Sequence, residues 1–135
     1  MFTNVEHIGI AVKDLSVADA LFSTLLNSTP YKHEEVATEG VRTSFFKINE
    51  TKIELLEATR DDSPIARFLE KKGEGIHHLA FEVDDIRAEM ARLKAEGFVL
   101  LNEEPKPGAD QKLVCFLHPK NTHGVLIELC QSIRE

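Results

Sequence analysis

VEHIGIAV at residues 5–12 returns as IHHLAFEV at 76–83, and KIELLEA at 52–58 returns as VLIELCQ at 125–131. His78 follows His7 by 71 residues and Glu128 follows Glu54 by 74, so the chain reads as one half-domain written twice. Within 5–12 the large apolar residues Ile8, Ile10 and Val12 share one parity, while His7, Gly9 and Ala11 share the other. That alternation is the period of a strand with one face against a core. In the second copy His78 stands opposite Leu79, Phe81 and Val83 in the same sense.

Working outward, Asp14 or Ser16 caps a helix whose Val17, Ala18, Leu21, Phe22 and Leu25 form a core-facing stripe, and Asn27-Ser28-Thr29-Pro30 ends it. Strand patterns follow at about 31–37, 41–49 and 51–59, separated by Thr38-Glu39-Gly40 and Asn49-Glu50. Residues 60–74 form a connector with a short helix, because Ser63-Pro64 supplies an N-cap and a first-turn proline and Gly73 a stop. A strand at 75–83 restarts the cycle. Asp84 caps a helix carrying Ile86, Met90 and Leu93, Gly97 terminates it, and strands at about 98–104, 112–118 and 124–131 complete the copy. The expected fold is α+β: two tandem β-α-β-β-β modules, about 5–59 and 75–131, forming one domain over 1–135 with a cup-shaped mixed sheet and helices on its outer face.

If the apolar parity packs under the helices, His7 and His78 point to the other, concave side. Glu54, between Ile53 and Leu55, and Glu128, between Ile127 and Leu129, point the same way. A single strand histidine is more often a hydrogen-bonded structural residue, and a single strand glutamate a solvated face. Four such residues in equivalent places of two repeats instead indicate a shared site for one divalent ion. Two imidazoles and two carboxylates without a thiolate suit Co²⁺, Mn²⁺, Ni²⁺, Fe²⁺ or Zn²⁺, and an octahedral ion would keep two positions for substrate oxygens. His77, His33, His118 and His123 lack the repeated pattern and read as structural or solvated.

The formal net charge is −7, from 23 acidic and 16 basic residues, with no Lys/Arg run to neutralise a phosphate backbone. Nucleic acid and anionic membrane are therefore poor partners. No signal-peptide core or transmembrane run is present, and a cytoplasmic location is expected. Cys115 and Cys130 form no CxxC motif and read as reduced structural thiols.

EHIGIAVKDL at 6–15, TKIELLEAT at 51–59, DSPIARFLEKKGEGIHHLAFEVDDI at 62–86 and LVCFLHPKNTHGVLIELCQ at 113–131 carry a resemblance spanning nearly the whole chain. The chain resembles the vicinal oxygen chelate superfamily and, within it, the methylmalonyl-coenzyme A epimerases. The resemblance implies inversion at C2 of an acyl-CoA substrate through an enolate, with His7, Glu54, His78 and Glu128 as ligands of one ion per chain, Co²⁺ foremost, and a homodimer. Some relatives carry Gln where this chain has Glu54. Certain members carry a catalytic carboxylate in the strand corresponding to 41–46, but VRTSFF has none here. The pseudo-twofold symmetry of the repeats instead suggests Glu128, first, and Glu54 as the bases, approaching the metal from opposite sides so that each serves one face of the substrate. Lys120 in the His118-Pro119-Lys120 turn is only a weak pointer to coenzyme A. The competing readings are a glyoxalase-like metal-dependent isomerase or lyase on the same scaffold, and a metal-free module that sequesters small molecules.

Overall fold

The computed structural model describes residues 1–133. Two compact units emerge, one spanning His7–His77 and the other combining Met1–Glu6 with the chain from His78 onward. The elements run β1 (Phe2–Ala11), α1 (Leu15–Leu26), β2 (Lys32–Val36), β3 (Val41–Ile48), β4 (Thr51–Ala58), α2 (Pro64–Lys72), β5 (Gly75–Val83), α3 (Ile86–Ala95), β6 (Lys106–Gly108), β7 (Lys112–Leu117) and β8 (Ile127–Ser132). This is the doubled β-α-β-β-β order with α2 as connector, and the class is α+β as expected.

In the first unit the strand order is β2-β3-β4-β1, with β1 parallel to β4 and the other pairs antiparallel. Asp14 caps α1 by accepting from Val17 N at 3.2 Å, and Asn27 closes the helix in the left-handed region at φ 52°. Leu15, Ala18, Phe22 and Leu26 pack on Ile10, Val12, Phe46, Ile53 and Leu55. The stripe read from the sequence needs correction here, because Val17, Leu21 and Leu25 are 65%, 58% and 67% exposed. The helix carries two apolar rows, and Leu15 with Leu26 places the row 15/18/22/26 inward, turning 17/21/25 out.

Ser63, wholly buried, accepts from Ala66 N at 3.1 Å and starts α2 ahead of Pro64. Ile65, Phe68 and Leu69 then pack on Ala11, Leu56 and Ala58. Leu56 has the parity of Glu54, so α2 covers one end of the sheet face opposite α1.

In the second unit the order is β5-β8-β7-β6, with β5 parallel to β8. Ile86, Met90 and Leu93 of α3 bury against Val83, Cys115, Leu117 and Leu129. The cap of this helix is Asp85 rather than Asp84: Asp85 accepts from Ala88 N at 3.1 Å. Ile86 N donates to Gln131 Oε1 at 2.7 Å, which fixes Ile86 as the first helical residue. A second correction concerns 98–104, which forms only an isolated bridge, Leu100 to Leu117. Asn102 explains why: its side chain donates to Val114 O at 3.2 Å and accepts from Phe116 N at 3.1 Å, so it satisfies β7 groups that a continuing strand would use. Pairing resumes only in the three residues of β6.

Gly40, at φ 65°, closes the turn between β2 and β3, and a Cβ there would lie 2.9 Å from Ser63 Cβ. Gly40→Ala should carry the left-handed penalty of about 1–2 kcal/mol and lose at least about 1 kcal/mol more by crowding a buried cap. Urea unfolding of the variant beside wild type checks this, and a loss under about 1 kcal/mol would contradict the packing at Ser63.

Candidate functional site

Parallel pairing brings the sequence-predicted residues together within each unit. In the first, Gly9 is the register partner of Glu54, and His7 is two residues earlier on β1 with the same facing. His7 Nδ1 reaches Glu54 Oε2 at 3.2 Å. In the second, Ala80 is the partner of Glu128 and His78 is again two residues earlier. His78 Nε2 reaches Glu128 Oε1 at 3.3 Å. A glycine and an alanine beside the two carboxylates leave room for the imidazole to lean across. The same construction appears twice from residues 71 and 74 apart.

All four side chains are almost fully removed from solvent, His7 and Glu54 at 7% and 5% and His78 and Glu128 at 8% and 7%. Burying a carboxylate against one imidazole is expensive unless a further positive charge compensates it. The spacing of the donors fits such a charge. Two ligands at about 2.1 Å from one ion lie about 3.0 Å apart on an octahedral edge and about 3.4 Å apart on a tetrahedral one, and the observed 3.2 and 3.3 Å fall between. Each His–Glu pair therefore matches one edge of a coordination polyhedron for a divalent ion.

A phenylalanine completes each half. Phe45 on β3 is the register partner of Glu54 and Phe116 on β7 that of Glu128. Phe45 is wholly buried, and the Phe116 ring stands edge-on to His78 at 6.0 Å and 81°. These rings exclude water beside the carboxylates. They went unremarked in the sequence, although the 71-residue offset between them is the signal that finds them.

Three of the other histidines engage neighbours of their own. His77 is half-buried edge-on to Phe68 at 5.0 Å, and burial lowers its pKa to about 4, so it is neutral at pH 7. His33 contacts Asp19 at 2.9 Å, and His118 Nδ1 accepts from Lys120 N at 3.0 Å.

The chain belongs to the glyoxalase/bleomycin resistance protein/dioxygenase superfamily, whose family model matches residues 6–116. Its relatives within that family include epimerases. It is 44% identical to the ethylmalonyl-CoA/methylmalonyl-CoA epimerase of Cereibacter sphaeroides over 133 residues, 97% of this chain and 99% of that protein. It is 43% identical to the mitochondrial methylmalonyl-CoA epimerase of Homo sapiens over 129 residues, 95% of this chain and 73% of that protein. A variant of Streptomyces coelicolor methylmalonyl-CoA epimerase in complex with 2-nitronate-propionyl-CoA superposes with TM-score 0.95 at 36% identity, covering 99% of this chain and 100% of that one.

Cys130, two residues beyond Glu128, and Cys115 are both buried and unoxidised. Burial pushes the Cys115 thiol up to about 11 and raises that of Cys130. At pH 8 a thiol titrating near 11 is about 0.1% thiolate, against about a quarter for an ordinary cysteine. Native protein should therefore react with a thiol-specific disulfide reagent at least 100-fold more slowly than urea-unfolded protein, which should titrate two thiols. Prompt native reaction would contradict this packing.

Proposed function

We propose that this protein is a metal-dependent epimerase that inverts C2 of methylmalonyl-CoA through an enolate. The observation carrying the proposal is the near full-length similarity to epimerases, 44% identity over 97% of the chain. Two buried His–Glu pairs with ligand-edge spacing support it. His7, Glu54, His78 and Glu128 are assigned as ligands of one divalent ion per chain, with Co²⁺ first and Mn²⁺, Ni²⁺ and Zn²⁺ as alternatives. When bound, that ion supplies Lewis-acid stabilisation of the negative charge that develops on the thioester oxygen.

The residues themselves handle the proton. Ionised Glu128 takes it from C2, leaving the electron pair delocalised into the thioester, and Glu54, protonated at the start of the turnover, gives its proton to the opposite face; exchange with solvent then returns Glu128 to the carboxylate and Glu54 to the acid. In the reverse direction the roles exchange. No residue of 41–46 offers a carboxylate, and the symmetry of the two repeats assigns the partner base to Glu54. Phe45 and Phe116 keep bulk water from quenching the enolate.

A cytosolic homodimer acting on a small acyl-CoA completes the reading. Among the described residues no helix is long and apolar enough to cross a membrane.

The test is proton NMR of methylmalonyl-CoA in D₂O with metal-loaded protein and a metal-stripped control, following loss of the C2 proton. Rapid metal-dependent exchange is expected. Exchange no faster than the control, with metal verified in the protein, overturns the epimerase reading in favour of a glyoxalase-like isomerisation. Glu128→Gln should slow exchange by about 10²–10⁴ while leaving the circular dichroism spectrum intact, and near-normal exchange would remove Glu128 as a base. Calorimetric titration should show His7→Ala and His78→Ala each weakening Co²⁺ binding at least about tenfold. Unchanged affinity in either variant would strike that histidine from the ligand set.

A further inference from the structure

Asp19 stands where the packing of α1 calls for an apolar residue. It follows Leu15 by four positions and precedes Phe22 by three, which puts it on the row of the helix that packs against the sheet. Ser44 lies on the sheet face beneath that helix. Its register partner on β4 is Leu55, which packs under α1, and its partner on β2 is His33. His33 Nε2 meets Asp19 Oδ2 at 2.9 Å, so α1, β2 and β3 each bring one polar side chain to the same place. Alternation along the strands sets this place on the face opposite to the one carrying His7 and Glu54.

The second unit shows what folding alone asks of these positions. At the repeat offset of 71, Asp19 corresponds to Met90 and Ser44 to Cys115, and those two residues belong to one apolar core cluster. Where the second unit closes α3 onto its sheet with a thioether and a thiol, the first sets a carboxylate over a hydroxyl. The exchange strands polar atoms: Asp19 Oδ1 and Ser44 Oγ are both buried without a hydrogen-bond partner, and Ser44 is wholly inaccessible. Buried polar atoms are nearly always paired, and a buried carboxylate calls for a countercharge. Arg42, on the same face, is already held by Glu35 and Glu57. His33 is the one partner of Asp19 among the described residues, and it answers only Oδ2.

We propose that Asp19, His33 and Ser44 form a second divalent-cation site, set between α1 and the β2-β3 pair. The 2.9 Å separation of His33 Nε2 and Asp19 Oδ2 matches the edge of about 3.0 Å between two ligands each about 2.1 Å from an octahedral ion. A cation there takes the Asp19 carboxylate, the His33 imidazole and a lone pair of Ser44 Oγ, and it supplies the positive charge that the carboxylate lacks. One nitrogen and two oxygen donors suit Zn²⁺, Co²⁺ or Ni²⁺. The His33 side chain is 54% exposed, which gives the ion an entry and leaves its remaining positions to water. The same three residue types do not make a nucleophilic triad, because a wholly buried Ser44 cannot meet a substrate. A bound ion fastens β2, the end strand of the first unit's order, to α1. The proposal is independent of the epimerase reading.

The test is calorimetric titration of metal-stripped protein with micromolar Zn²⁺, read as ions bound per chain. Wild type should bind one ion more than Asp19→Asn and one more than His33→Gln. Equal stoichiometry in wild type and both variants overturns the site and leaves Asp19 and Ser44 to an ordered water. The variant His7→Ala/His78→Ala separates this ion from the inner-face set: it should keep one ion, and further addition of His33→Gln should remove it. A His7→Ala/His78→Ala protein that retains its circular dichroism spectrum but binds no Zn²⁺ overturns the site, whatever the inner face does in wild type. Asp19→Met/Ser44→Ala, close to the apolar pair of the second unit, guards against a folding defect. It should lose the ion yet unfold in urea at a midpoint no lower than that of metal-stripped wild type. A lower midpoint shows that the polar pair serves the fold itself, and overturns its assignment to a ligand.

Discussion

The parallel register of β1 with β4, and of β5 with β8, is the constraint on which the candidate centre depends. It sets Gly9 beside Glu54 and Ala80 beside Glu128, so that each histidine two residues upstream meets a carboxylate diagonally. Helices α1 and α3 hold that register by covering the opposite faces with Phe46 and Leu55 in one unit and Leu117 and Leu129 in the other. A slip by one residue would turn every ligand side chain toward a helix and every core side chain away from it. Core packing and site geometry are therefore enforced by the same alternation.

That coupling also explains how a costly arrangement persists. Glu54, Glu128 and their histidines are buried polar groups, each of which weakens the fold unless compensated. The flanking cores supply the compensation in stability, with wholly buried Phe45, Phe46, Leu55, Ile86 and Leu129 on or beside the same strands. Removing one such side chain typically costs about 2–5 kcal/mol. The rigid surroundings then keep the imidazole and carboxylate at ligand spacing without relying on flexible loops.

Much of this was legible in the sequence, for a specific reason. Alternation at 5–12 and 76–83, together with two repeat offsets, decides both which strands form and which way His7 and His78 point. Position within the repeat then picks out Glu54 and Glu128. Where the reading failed, the deciding interaction was tertiary. Helix periodicity alone could not choose between the 15/18/22/26 and 17/21/25 rows of α1, because both are apolar. Asp84 and Asp85 are equally good caps on paper, and tertiary partners distinguish them: the Met1 ammonium takes Asp84, and Gln131 receives Ile86 N. Residues 98–104 look like a strand until Asn102 occupies β7's hydrogen-bonding groups.

The Asn102 side chain has a consequence beyond local geometry. By ending the ladder along β7, it leaves β6 as a three-residue strand, Lys106–Gly108, with Pro105 before it and Pro107 inside it. A strand so short and so poor in donors is a bad template for another chain. At the edge of the first unit's strand order, β2 presents Lys32, Glu34 and Glu35 in five residues, and charge discourages pairing there too. Both free margins are thus protected against strand addition, the route by which a sheet protein turns into aggregate at high concentration.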